Sequence, residues 1–135
     1  MEALYLDTSA AVKLFKQEPE SAVLDRWLTG RGSALVLTSD LTRCELRHAL
    51  EAAKVGPASR RDAEEWLADC ALIRLSRELC DRAGTLAPGV QLRSLDALHT
   101  AAALSLGQAL AAFVAYDQRL VDAAQQAGLA VSSPA

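Results

Sequence analysis

Four acids carry the chemistry open to this sequence. Asp7 follows the apolar run Ala3-Leu4-Tyr5-Leu6, and Asp117 follows Ala112-Phe113-Val114-Ala115-Tyr116. Glu45 and Asp96 fall in helical patterns, within Thr42-Arg43-Cys44-Glu45-Leu46 and Ser94-Leu95-Asp96-Ala97-Leu98-His99. Two carboxylates roughly 6 Å apart repel by about 3 kcal/mol at an effective dielectric near 20. Several such pairs burden a fold of marginal stability, and protonation or a divalent cation relieves the strain. Hard oxygen donors with no companion Cys or His cluster suit Mg²⁺ or Mn²⁺. A Mg²⁺ site that keeps some of its waters is equipped to hydrolyse a phosphodiester.

Each acid also has a plain explanation. Asp7 and Asp117 read equally well as turn residues after strands. Asp96 is a favourable charge near the positive end of a helix. Glu45 is harder to dismiss. On a helical wheel Leu41, Ala49 and Ala52 surround it, with Leu46 and Ala53 flanking, while Arg43, Arg47, Glu51 and Lys54 take the other side. A carboxylate on an apolar face is costly unless something binds it.

The elements that must position these acids alternate along the chain. Strands are expected at Ala3–Leu6, Ala34–Thr38, Ala71–Leu75, Ala112–Tyr116 and Leu129–Val131. Helices are expected at 10–16 after a Thr8 or Ser9 cap, from Ser21 with an Ala22, Val23, Trp27, Leu28 stripe, and at 40–54 after Ser39. Further helices follow at 59–69, from Ser76 through Ala83, at 95–106 after Ser94, and at 118–127, with Gly107 and Gly128 as stops. Gly30-Arg31-Gly32 and Ala87-Pro88-Gly89 read as a turn and a loop. Strand runs that are apolar on both faces predict a three-layer α/β/α fold around a mainly parallel sheet. Without a repeat or linker, residues 1–135 are expected to form one domain. In such sheets ligands sit beyond the carboxyl ends of the strands, where the crossover helices also begin. All four acids belong at that edge.

Composition agrees with a buried core. The chain has 135 residues, 51% of them hydrophobic, so it can fold without metal or disulfide support. A net charge of −3 argues against nonspecific coating of nucleic acid. Cys44, Cys70 and Cys80 are odd in number and form no CxxC pair. They are expected as small buried hydrophobes, in a reducing cytoplasm. No leader pattern is seen at the N-terminus, and the apolar stretch from Ala101 to Tyr116 is broken by Ser105, Gly107 and Gln108, so no membrane span is expected.

With these residues in view, the chain resembles the PIN-domain ribonucleases, specifically VapC-type toxins of toxin–antitoxin pairs. The resemblance rests on Asp7-Thr8-Ser9-Ala10, the Glu45 and Asp96 segments above, Tyr116-Asp117-Gln118-Arg119-Leu120 and Ala124-Gln125-Gln126-Ala127-Gly128-Leu129. It implies that Asp7, Glu45, Asp96 and Asp117 form a catalytic, metal-binding quartet, with Ser9 supporting the first aspartate. It also implies a Mg²⁺- or Mn²⁺-dependent endoribonuclease, a homodimer, and a small VapB-like antitoxin that blocks the pocket.

Secondary signals have plainer readings. Arg43, Arg47, Lys54, Arg60 and Arg61 can meet RNA phosphates or antitoxin acids, but a solvated face is the simpler expectation. Lys13 and Lys16 are expected at the surface, and Arg93 is the better phosphate candidate. His99, one turn after Asp96, can orient a carboxylate, although a packed, hydrogen-bonded histidine is the plainer expectation, as for His48. Trp27 and Trp66 are expected in core or dimer contacts. A PIN-like module that only binds RNA or a protein is the alternative class, and retention of all four acids argues against it. A phosphotransfer enzyme fits poorly, because Ser9 stands where a second aspartate belongs. A receiver domain also fits poorly, with Ser76 after the third strand and no matching lysine after a late one.

Overall fold

In a computed structural model, which describes residues 1–86 and 92–135, five strands form one sheet in the order β3-β2-β1-β4-β5. The strands are β1 (Ala3–Leu6), β2 (Leu35–Ser39), β3 (Ala71–Ile73), β4 (Leu110–Val114) and β5 (Val131–Ser132), and every neighbouring pair is parallel. The helices are α1 (Thr8–Val12), α2 (Ser21–Thr29), α3 (Asp40–Ala52), α4 (Pro57–Asp69), α5 (Arg77–Thr85), α6 (Ser94–Leu104) and α7 (Gln118–Gln126). The three-layer α/β/α arrangement expected from the strand composition is present.

β1 explains why. All four of its residues are buried, and alternate side chains enter different cores. Ala3 and Tyr5 join Leu37 and Phe113 against Leu79, Ala83, Ala97, Ala101, Leu120 and Val121 of α5, α6 and α7. Leu4 and Leu6 join Val114 against Ala10 and Leu24 of α1 and α2. A third cluster, Ala11, Leu46, Leu50, Ala63 and Leu67, binds α1, α3 and α4 together. A right-handed crossover dictates these sides. The chain steps from β1 through β2 to β3, then returns past β1 to β4, so its helices change face. The strand order reverses between β1 and β4, the point at which parallel sheets place their ligands beyond the carboxyl ends.

Element ends differ from expectation by a few residues, for local reasons. Lys54 adopts a left-handed φ of 55°, which stops α3 at Ala52. Pro57 then opens α4 at its first turn, two residues before the expected Ser59. Asp7, not Thr8 or Ser9, caps α1, and Arg93, not Ser94, occupies the cap position of α6. Ser39 precedes α3 as expected but makes no side-chain capping bond. In α2 the buried stripe is centred on Ser21 and Leu24, with Trp27 and Leu28 packed beside it, while Ala22 is exposed. The Ala87-Pro88-Gly89 loop lies outside the described residues.

The cysteines are a correction. Cys44 and Cys80 are exposed and Cys70 is half-buried. Cys44 faces away from the buried Leu41, Leu46 and Leu50 of α3, and Cys80 away from the buried Leu79 and Ala83 of α5. Among the described residues, no helix is long and apolar enough to cross a membrane.

Candidate active site

Asp7 begins where β1 ends. Its backbone N–H continues the ladder to the Val114 carbonyl of β4 at 3.1 Å, which fixes it at the carboxyl edge between β1 and β4. Its carboxylate is 3% exposed and caps α1, Oδ1 accepting from the Ala10 N–H at 3.0 Å. Ser9 Oγ donates to both carboxylate oxygens, at 2.7 and 2.9 Å, and accepts from the Tyr116 N–H at 2.9 Å. One hydroxyl therefore ties Asp7, just past β1, to Tyr116, two residues past β4. Burial pushes the Asp7 carboxyl up to about 6, against the nearby His99 and the bonds from Ser9 and Ala10, which act to lower it.

Glu45 stands one residue off the buried stripe of α3, which runs through Thr42, Leu46 and Leu50. It is at the rim of the apolar face, 26% exposed, not near its middle as the helical wheel suggested. Two bonds converge on its Oε1. Thr8 Oγ donates at 2.6 Å, and His99 Nε2 lies at 2.8 Å. Behind Thr8, Thr42 Oγ is 3.1 Å away and in turn accepts from Thr38 at 2.8 Å. Burial alone would raise the Glu45 carboxyl. The bonds from His99 and Thr8 outweigh it and hold the group below its usual range.

Asp96 lies in the first turn of α6. Its Oδ2 is buried and has no hydrogen-bond partner, a costly state for a carboxylate oxygen. Burial and then the charges of Asp117 and Glu45 raise its carboxyl, partly offset by Arg93 and His99. Asp117 is exposed and caps α7, its Oδ1 accepting from the Arg119 N–H at 3.0 Å. It follows β4 after Ala115 and Tyr116, at the carboxyl edge beside Asp7.

The four acids thus stand at one edge, and charge couples three of them: Asp96 responds to both Asp117 and Glu45. His99 lies between Asp7 and Glu45. Among the described residues, no three His, Cys, Asp or Glu side chains close into a finished metal-binding group. The donor set nevertheless fits a hard divalent cation. It is all carboxylate, it includes a buried orphan oxygen on Asp96, and its self-repulsion is the strain that a cation removes.

Among the secondary residues, Lys13 and His48 depart from their expected places. Lys13 is 9% exposed, paired with Glu18 at 3.3 Å and Glu20 at 2.9 Å, and stacked over the Tyr116 ring, so it braces the turn before α2. Lys16 pairs with Glu18. Arg47 binds Glu64, and Arg60 binds Glu51, as ties between α3 and α4. Arg43, Lys54 and Arg61 make no ion pair among the described residues. Arg93 is exposed next to Asp96, where a phosphate candidate belongs. His48 is exposed, with its Nδ1 4.0 Å from Cys44 Sγ. Trp27 and Trp66 pack against the cores. Thr8, read from sequence only as a cap, contacts Glu45 directly. Its sole sequence signal is its place beside Asp7.

Comparison with known proteins agrees with this architecture. Residues 4–126 match the PIN domain. Ribonuclease VapC46 of Mycobacterium tuberculosis is 42% identical over 134 residues, covering 99% of each chain. The crystal structure of VapBC2 from Rickettsia felis bound to a promoter DNA fragment superposes with a TM-score of 0.75 at 15% identity, over 98% of this chain and 99% of that one. The M. tuberculosis toxin VapC20, which cleaves the sarcin–ricin loop, gives 0.71 at 18% identity, over 89% and 94%. Identity at this level along the full length of a relative, on a sheet of the same order of layers, leaves one conclusion: the chain belongs to the PIN-domain family and, within it, to the VapC ribonucleases.

Proposed function

We propose that the protein is a Mg²⁺- or Mn²⁺-dependent endoribonuclease acting as the toxin of a toxin–antitoxin pair. The single observation that carries the metal-dependent part is Asp96. Its partnerless buried oxygen sits within reach of the charges of Asp117 and Glu45, on the edge that also holds Asp7. Asp7, Glu45, Asp96 and Asp117 would hold the ion, which supplies charge neutralisation and Lewis-acid activation for phosphodiester hydrolysis. The remaining chemistry belongs to the chain. Ser9 fixes both oxygens of Asp7. Thr8 and His99 fix Glu45. Arg93, exposed at the start of α6, is placed to draw an RNA phosphate towards an otherwise acidic edge.

Membership among ribonucleases supports RNA as the substrate. It also supports a small VapB-like antitoxin as partner, a homodimer, and a cytoplasmic site of action. The reading treats residues 1–135 as one catalytic domain. The test is cleavage of a mixed RNA pool with Mn²⁺ and with EDTA. Cleavage is expected only with Mn²⁺, and Asp7→Asn and Asp96→Asn should each reduce it at least a hundredfold while the far-UV CD spectrum is kept. Full metal-dependent cleavage by both variants would end the assignment. RNA binding without turnover in the wild type would favour a binding module.

A further inference from the structure

His99 is more than a packed side chain. It is 3% exposed and bridges Tyr5 in β1 and Glu45 in α3. The Glu45 carboxylate can only accept, so the ring hydrogen is on Nε2 and is donated to Oε1 at 2.8 Å. The other ring nitrogen, Nδ1, lies 2.8 Å from the Tyr5 hydroxyl. Tyr5 is fully buried, its phenol stacked on Phe113 and edge-on to the His99 ring, so the hydroxyl cannot swing away. Burial keeps that phenol protonated. Both ring nitrogens of His99 are thus engaged, one at each end of the line.

The consequence falls on Glu45. Thr8 and His99 both address Oε1, and among the described residues no protein hydrogen bond falls on Oε2. A glutamate on a helix surface ordinarily samples several rotamers. Here two neighbouring donors, 3.4 Å apart, hold one oxygen and leave the other without a protein partner among the described residues. We propose that His99 is a positioning residue for the metal centre: anchored by Tyr5, it fixes Glu45 so that Oε2 is pre-aimed at the divalent ion. The proposal rests on the metal-dependent reading above and assigns to it a residue outside the acidic quartet. Partners that orient a ligand typically change metal affinity by about 10–100-fold when removed.

The test measures Mn²⁺ binding to the full chain by calorimetry, without RNA. His99→Leu keeps the volume and loses both bonds, and it should weaken Mn²⁺ binding at least tenfold. His99→Gln carries its Nε2 the same number of bonds from Cβ and can still donate to Glu45, so it should recover affinity to within about threefold of wild type. In a Glu45→Gln background, His99→Leu should add no further loss, because the effect passes through Glu45. The kcat/KM for RNA cleavage should follow the same order. Wild-type affinity in His99→Leu, equal weakness of the Leu and Gln variants, or an additive loss in the Glu45→Gln background would each overturn the proposal. If His99→Leu does not fold, His99→Asn replaces it, since Asn reaches Tyr5 but not Glu45. Wild-type protein that takes up no Mn²⁺, or Asp96→Asn that binds it normally, would instead remove the metal reading itself.

Discussion

At the residue scale, Asp7 is where burial and charge conflict most. Its carboxyl is moved from the ordinary 3.8 to about 6 in the fold. Between those values the folded chain holds a proton that the unfolded chain has released. This group's contribution to stability is therefore fully present below about pH 4 and is lost as pH rises through 6. A shift of this size is worth up to about 3 kcal/mol. Asp7→Asn keeps the cap acceptor and removes the ionisation. In EDTA at pH 7.5 it should raise the melting temperature by roughly 3–9 °C, and the gain should shrink towards zero near pH 4. A lower melting temperature at pH 7.5 would show that the ionised carboxylate is not under strain. The acids themselves were legible in the sequence, because Asp7 and Asp117 follow strands, Asp96 opens a helix and Glu45 interrupts an apolar helix face. Their partners were not. Thr8 and His99 reach Glu45 across 37 and 54 residues of chain, a separation no local pattern encodes.

At the element scale, α3 must hold Glu45 still, and apolar packing does most of that work. Leu46 is fully buried among Ala11, Leu50, Ala63 and Leu67. Leu46→Ala should cost about 2–5 kcal/mol, read from the midpoint of urea unfolding. The two-pronged Arg47–Glu64 pair on the same helix looks firmer on paper, with bonds of 2.8 Å on both sides. Its side chains are 44% and 53% exposed, so water screens it, and Glu64→Gln should cost less than about 1 kcal/mol. If the two variants lost equal stability, the division between packing and surface charge would be wrong. Between them lies the cap of α5, where Ser76 Oγ accepts from the Leu79 N–H at 3.1 Å. Ser76→Ala should cost about 1 kcal/mol by the same measurement. Ser76 was readable as a cap from its type and place. The end of α3 was not, because Lys54 takes a left-handed conformation that usually calls for glycine. The register of β4 was also missed. The expected run began at Ala112, whereas β4 starts at Leu110 and ends at Val114, so Ala115 and Tyr116 lead out to Asp117.

At the scale of the whole molecule, sheet order decides what the acids can do. An order of β3-β2-β1-β4-β5 puts the reversal of direction between β1 and β4, and Asp7 and Asp117 stand on its two sides. The alternation of apolar strands with helices made a layered parallel sheet readable in the sequence, but the order of the strands was not, since no run of residues states its neighbours. The net charge of −3 sets a further expectation. If the proposed ion is bound, a chain that repels phosphate overall draws RNA through local cations and that ion, so activity should fall steeply when divalent metal is removed and only modestly with added salt. The account stands on a shared ion at the carboxyl edge of β1 and β4. Anomalous diffraction from crystals soaked in Mn²⁺ tests this most directly. It should show a peak bounded by Asp7, Asp96 and the Oε2 side of Glu45, with Asp117 at its outer rim, and a peak elsewhere or none at saturating Mn²⁺ would contradict it.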